Sequence, residues 1–344
     1  QPDQLAAQQA VVDEFNATHD DIILETIVVN NTGTAATDAL QTLIASGDAP
    51  DIVGPVGVLG ANSFAGQFLN LDPLIEASGY DLSDFDPALV DFFREEDGAL
   101  TAIPMGVYPS FIFYNRDLFD EAGLAYPPHE WGAPYVDVDG NERPWDIETL
   151  TELAKLLTVD ANGEDATSED FDPSNIQQWG WFQQWTDARG QATFFGAGSF
   201  VGEDNTAVVP EAWSEFYKWY YNGIWEDHFI PTASEANSDL LNAGNPFQSG
   251  NLAMDLVHLW YTASAGYPDV NWDIAALPSY NGTITAKLHT DALRILKTTE
   301  HPEEAFEVLA YLTGEGAAPL LQVYGGMPAR ISLQDAFFEG LDET

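Results

Sequence analysis

The stretch "IPMGVYPSFIFYNRDLFDEAGL" (residues 103–124) sets a punctuated apolar segment, an aromatic run and a short polar helix side by side. Phe111, Ile112, Phe113 and Tyr114 together predict a buried strand. Residues 116–123 carry the pattern of a short helix closed by Gly123. The segment from Pro104 to Pro109 is apolar but interrupted, as in a chain that crosses from one structure into another.

On the N-terminal side, residues 5–19 place Leu5, Val12 and Phe15 at helical spacing. Residues 22–29 are β-branched and apolar, which predicts a strand covered on both faces. Residues 34–46 repeat Ala36, Leu40, Leu43 and Ile44 and stop at Gly47, and Asp51, Ile52 and Val53 read as a short buried strand. This alternation predicts a parallel α/β sheet. On the C-terminal side, residues 125–146 and 158–180 are rich in Pro, Gly, Asp and Asn and read as loops. Between them Asp146 should cap a helix carrying Leu150, Leu153, Leu156 and Leu157. Residues 210–225 predict a helix with Pro210 in its first turn and Trp213, Phe216, Tyr217 and Tyr220 on one side. Residues 302–313 predict another, with Phe306, Leu309 and Leu312, ended by Gly314.

The chain has 344 residues, 45% hydrophobic and 12% aromatic, enough for one large or two medium domains with full cores. No window of about 18 apolar residues is present to span a membrane. No signal peptide is visible, and the chain starts at Gln1 within a predicted helix, as expected of a mature or trimmed product. With no cysteine, disulfides, thiol catalysis and thiolate zinc sites are all excluded. The net charge of −46 disfavours nucleic acid and anionic membrane surfaces as partners, because both bind through basic clusters. Such a surface suits a saline or acidic exterior, where salt screens self-repulsion.

Enzyme signatures are missing. There is no HExxH, nucleophile elbow, Walker A or G-x-G-x-x-G pattern. Residues 54–60 follow a strand as a phosphate loop would, but their glycine spacing is wrong and Pro55 lacks the N–H such a loop needs. The six histidines (19, 129, 228, 258, 289, 301) include no pair at i, i+4, against a catalytic zinc site. Two acidic turns have calcium-loop character: Asp160, Asn162 and Glu164 alternate oxygen side chains around Gly163, and residues 137–142 are similar. A structural calcium is the one cofactor this suggests; none is required.

The motifs also fall in a particular order: "SGDAPDIV" (46–53), "AGQFLNLDPLIE" (65–76), "IPMGVYPSFIFYNRDLFDEAGL" (103–124), "WDIETLTELAKLLT" (145–158), "FQSGNLAMDLVHLW" (247–260), "ALPSYNG" (276–282), "HPEEAFEVLAYLTGEG" (301–316) and "YGGMPAR" (324–330). In that order the chain resembles, over nearly its whole length, the extracellular solute-binding proteins of sugar ABC transporters, of the maltose-binding-protein-like type. The resemblance implies an α/β, two-lobed periplasmic-binding-protein-like (Venus flytrap) fold with three hinge crossings and a ligand cleft. The crossings would lie after Pro104, near residues 287–292 and near residues 324–330. The N-lobe would comprise residues 1–110 plus 290–322, the C-lobe residues 111–289 plus 323–344. Tyr114 and Asn115 become buried structure of the second lobe. The family's first strand and C-terminal helices have no counterpart in this sequence.

A sugar presents apolar C–H faces and polar rims, so its site wants aromatic platforms and planar hydrogen-bonding groups. The resemblance puts Trp260 at a stacking position and Tyr108 at a contact position of the first crossing. It puts Trp185 at a strand end with Gln184, Asp187 and Arg189 as polar partners. Asn31, Thr32 and Thr34 precede a helix N-terminus and serve either as contacts or as caps. His289 and Asp291 at the second crossing and Arg330 at the third complete the set. Strand alternation splits Trp179 and Trp181 between core and cleft, and Trp213, Trp219, Trp225, Tyr220 and Tyr221 read as core. The resemblance implies capture of a carbohydrate, more in keeping with an oligosaccharide, by an extracytoplasmic monomer, periplasmic or lipid-anchored. That monomer would deliver the sugar to the permease subunits of an ABC transporter by hinge closure, without catalysis. The alternatives are a same-fold binder of a polyol, glycerophosphodiester or peptide and, more remotely, a glycoside-active enzyme.

Overall fold

Residues 103–115 form one unbroken strand, Ile103–Asn115, in the computed structural model, which describes residues 2–29, 34–184, 186, 188–263 and 270–342. The chain divides into two units, Gln1–Tyr108 with His289–Thr344, and Pro109–Leu288. The strand therefore contributes its first part to one unit and its second part to the other.

In the first unit the Ile52–Val56 strand runs antiparallel to Leu288–Ile295, with Ile52 opposite Ile295 and Val53 opposite Arg294. Met327–Pro328 pairs antiparallel with Val107 and Gly106 of the crossing strand. These pairings differ from the parallel sheet that the helix–strand alternation predicts for this region. The core gathers Leu71, Phe85, Ile103, Met105, Ile295, Phe306 and Leu309. Each fully buried Phe or Leu contributes about 1.5–3 kcal/mol relative to exposure. The Pro2–Thr18 helix packs on the Ala317–Tyr324 helix. Arg294 is buried in this core, donating to Thr101 Oγ1 at 2.8 Å with its guanidinium 4.7 Å from the Phe68 ring centre.

Two expectations for this unit are corrected. Residues 22–29 carry no regular secondary structure, and Ile23 is 78% exposed. A β-branched run becomes a strand only beside a hydrogen-bonding partner, and among the described residues none pairs with it. The Asn16 amide instead clasps the backbone of Leu24, accepting from its N–H at 2.7 Å and donating to its carbonyl at 2.9 Å. Residues 323–344 group with the first unit, not with the C-lobe. The Met327–Pro328 pairing and the contacts of Arg330 hold them there. The remaining breaks fall at Tyr108/Pro109 and Leu288/His289, against the expected 110/111 and 289/290.

In the second unit Ile176–Gln183 and Leu252–His258 run parallel, with Trp181 opposite Met254 and Gln183 opposite Leu256. The second part of the crossing strand pairs antiparallel with Leu252–His258, Ser110 opposite His258, and with Trp272–Ala275 on its other edge. Tyr114 is fully buried and Asn115 caps the Arg116–Ala122 helix by accepting from Asp117 N, a structural role in keeping with the sequence. Asp146 caps Ile147–Leu156 in the same way through Thr149 N. That helix lies so close to Ile176–Gln183 that a Cβ on Gly180 would sit 1.8 Å from the Ala154 carbonyl oxygen; only glycine fits. Trp179 and Trp181 are both buried, which corrects the expected split between core and cleft: residues two apart on a strand share a face, so alternation does not separate them. On the Glu211–Trp225 helix Trp213 is buried and Trp219 and Tyr220 pack partly, whereas Tyr221 and Trp225 are exposed rather than core.

Candidate functional site

In the first unit the crossing strand carries Tyr108, 5% exposed, whose hydroxyl is hydrogen-bonded to the Asp291 carboxylate on Leu288–Ile295. Burial pushes Asp291 up to about 6, with the Tyr108 hydrogen bond opposing, and burial together with the Asp291 charge raises Tyr108 as well. The Tyr108 ring lies under Gly326, where an added Cβ would come within 2.9 Å of it. His289 is half-buried on the same strand as Asp291. Thr34 is exposed and donates to Asp38 at 2.8 Å, making no side-chain cap.

Arg330 is engaged within the first unit. Its Nε donates to the Thr313 carbonyl at 2.8 Å and its Nη1 to Asp84 at 3.3 Å. The guanidinium lies 4.7 Å from the Phe85 ring centre and 5.1 Å from that of Tyr80. With its fork and faces spent on these partners, Arg330 ties the 323–344 segment down instead of serving as the ligand contact expected at a third crossing.

The second unit holds a hollow lined by Ser110, Gln183, Thr186, Gly190, His258 and Lys287, with Phe194, Leu256 and Leu277 as its apolar wall. Ser110 and Lys287 are joined three times: Ser110 Oγ donates to the Lys287 carbonyl at 2.9 Å and accepts from its N–H at 3.0 Å, and the Ser110 N–H donates to the same carbonyl at 2.9 Å. Gln183 donates from Nε2 to the Gln191 carbonyl at 2.9 Å, which leaves Oε1 buried without a hydrogen bond; Thr186 Oγ1 is likewise buried and unbonded. The His258 ring lies 4.4 Å from that of Trp260 and is tilted 54° to it; Trp260 is half-buried and backed by the Phe113 and Tyr261 cluster. Trp260 thus stands next to a residue of the hollow.

Gln184, expected as a ligand partner, is 2% exposed. Its Nε2 donates to Asn245 Oδ1 at 3.0 Å and its Oε1 accepts from Tyr261 at 3.4 Å, so its polar groups are spent internally. The expectations on Asn31, Thr32, Trp185 and Asp187 fall outside the described residues, and only the backbone of Arg189 is described, in the Ala188–Gln191 helix. Sequence reasoning missed Gln183, Thr186 and His258. The available signal was strand alternation: Gln183 shares a face with buried Trp181, and His258 with Met254 and Leu256.

The calcium loops resolve into turns. Asp160 is buried, and its carboxylate accepts from the backbone N–H of Asn162 at 2.7 Å, Glu164 at 3.0 Å and Asp172 at 2.9 Å, with Asn162 Nδ2 at 3.3 Å. Glu164 accepts from Ser168 at 2.7 Å. Asp137 organises its own turn through the N–H groups of Asp139 and Asn141. Lone pairs directed at backbone amides are not offered to a cation. Among the described residues no group of three or more His, Asp or Glu could hold a metal ion.

The sequence profile of bacterial extracellular solute-binding proteins matches residues 1–319. Among solved structures, the substrate-binding protein Lmo0181 from Listeria monocytogenes, in complex with cycloalternan, is 22% identical and superposes with a TM-score of 0.72 over 98% of this chain and 84% of that one. Maltose-bound MalE3 from T. maritima is 19% identical, with a TM-score of 0.70 over 99% and 84%. UgpB from Mycobacterium tuberculosis, bound to glycerophosphocholine, is 18% identical, with a TM-score of 0.73 over 98% and 80%. At these identities the likeness is one of fold, which is the two-lobed α/β binding-protein type. The chain belongs to the bacterial extracellular solute-binding protein family.

Proposed function

We propose that this protein captures a carbohydrate outside the cytoplasm and hands it to the membrane permease of an ABC transporter, acting as a monomer and without turning the sugar over. The observation that carries this is Trp260 against His258 beside a hollow in which two neutral oxygens, Gln183 Oε1 and Thr186 Oγ1, are buried without a hydrogen bond. An aromatic face offers a surface for sugar C–H groups, and neutral acceptors and hydroxyls match sugar hydroxyls. Structures of the same fold bind cycloalternan and maltose. The strong negative charge adds repulsion against anionic ligands.

A glycerophosphodiester is the second candidate, favoured by Lys287 in the hollow of a chain with only 10 Lys plus Arg, and by the fold shared with UgpB. Calorimetric titration with neutral mono- and oligosaccharides and with glycerophosphocholine separates the two. Heat from a sugar alone supports carbohydrate capture; heat from glycerophosphocholine alone replaces it. Incubation with the bound sugar, followed by chromatography, should return the sugar unchanged.

A further inference from the structure

The hollow of the second unit lies wholly within Pro109–Leu288 and has an unfilled hydrogen-bonding demand. Gln183 is 5% exposed, and its Nε2 bond to the Gln191 carbonyl fixes which end of the amide is left over: Oε1, an acceptor with no donor. Thr186 Oγ1, also buried and unbonded, can donate or accept. Buried polar atoms in native proteins are nearly always satisfied, so this pair calls for an occupant.

Shape narrows the occupant. The free space admits about one water-sized group. It is kept open at Gly190, where a Cβ would lie 2.1 Å from Thr186 Oγ1 and 2.6 Å from Lys287 Nζ. Chemistry narrows it further. The occupant must donate to Gln183 Oε1, which a carboxylate or phosphate oxygen cannot do. It must also sit near the Lys287 ammonium, which disfavours a second ammonium. A neutral group that both donates and accepts is left, namely a hydroxyl.

We propose that the hollow formed by Gln183, Thr186 and Gly190 is a subsite for a single hydroxyl of the carbohydrate ligand; this rests on the carbohydrate capture proposed above. Water has the same chemistry and fills the subsite when no ligand is bound. A ligand hydroxyl replaces it, so the hollow selects sugars that present a hydroxyl next to the face that meets Trp260.

The test is calorimetric titration of wild type, Gln183→Met and Thr186→Val with glucose, maltose, maltotriose and mannotriose. Melting curves establish that each variant is folded. The sugar that binds wild type should bind each variant about three- to tenfold more weakly, the loss of one neutral hydrogen bond. One monodeoxy analogue of that sugar should bind wild type equally weakly and be indifferent to Gln183→Met. Unchanged affinity in both variants, with a water still in the hollow of a sugar-bound crystal structure, overturns the subsite as a structural water only and leaves carbohydrate capture standing. No binding by any of the four sugars overturns carbohydrate capture and the subsite together. If Gln183→Met does not fold, Thr186→Val and the crystal structure decide: a sugar oxygen within hydrogen-bond distance of Gln183 Oε1 is expected, and its absence refutes the subsite.

Discussion

Replacing Arg330 by alanine separates a structural arginine from a ligand contact. The side chain is 17% exposed and gives up four interactions at once: the 2.8 Å bond to the Thr313 carbonyl, the 3.3 Å ion pair with Asp84, and its stacking on Phe85 and Tyr80. The carbonyl bond is worth about 1–2 kcal/mol with the cost of leaving its acceptor unpaired. The two ring contacts add about 1–2 kcal/mol together. The ion pair adds little, because Asp84 keeps its bonds from Ser332 N at 2.9 Å and Ser332 Oγ at 2.7 Å, which hold its carboxyl below the usual range. The sum is about 3 kcal/mol. For a unit of about 150–250 residues this lowers the melting temperature by about 6–12 °C. Scanning calorimetry measures the drop, and hydrogen exchange should show it as lost protection at residues 313 and 331–334. Arg330→Lys keeps the charge but not the fork and should recover only part. The structural assignment is refuted if Arg330→Ala melts like wild type yet no longer binds the cognate sugar.

Asp255 is completely buried with no charged partner among the described residues, and burial raises its pKa well above the usual value, the Gln184 backbone N–H opposing only weakly because it donates to the Leu256 carbonyl. An acid whose folded pKa is raised holds its proton more tightly folded than unfolded. Its contribution to stability therefore falls as pH rises above about 4, the unfolded value. Asp255→Asn should remove that slope and unfold at higher denaturant than wild type at pH 7; equal midpoints and equal slopes in urea titrations at pH 5 and 7 would show that the carboxyl costs nothing. Trp260→Ala should weaken sugar binding by about 1–3 kcal/mol in calorimetry, as for a buried aromatic anchor, and an unchanged dissociation constant removes Trp260 from the site. Calcium should leave the melting temperature of EDTA-treated protein where it was, because the Asp160 oxygens already accept from three backbone amides; a rise that saturates with calcium would show that the loop opens to bind it.

What could be read from the chain beforehand follows how local each signal is. The Arg116–Ala122 helix between the Asn115 cap and Gly123, and the Asp146 cap of Ile147–Leu156, were legible because capping is decided within a few residues. The crossing strand was only half legible. Pro104 and Pro109 argue against a strand, yet Pro109 falls where the partner changes: Val107 is the last residue paired to Met327–Pro328, and Ser110 the first paired to Leu252–His258. Residues 22–29 show the opposite failure, since composition fixes a preference for strand but not the neighbour that would satisfy it. The candidate site was least legible. Trp260 was singled out by the family resemblance alone, and Gln183 and Gln184 look equivalent in sequence. Only three dimensions show Gln184 bonded to Asn245 and Tyr261 while Gln183, in the lining of a hollow, leaves an oxygen buried and unbonded. Arg330 and Asp160 show the same limit: a charged group in a turn looks available in sequence until its internal partners are visible.

The most direct measurement is a thermal-shift series of the purified protein against glucose, maltose, maltotriose, mannotriose and glycerophosphocholine. A ligand at 100 times its dissociation constant stabilises the folded protein by about 2.7 kcal/mol, a shift of several degrees. Carbohydrate capture predicts a saturable rise with at least one of the sugars and none with glycerophosphocholine. A rise with glycerophosphocholine and with none of the sugars would contradict it.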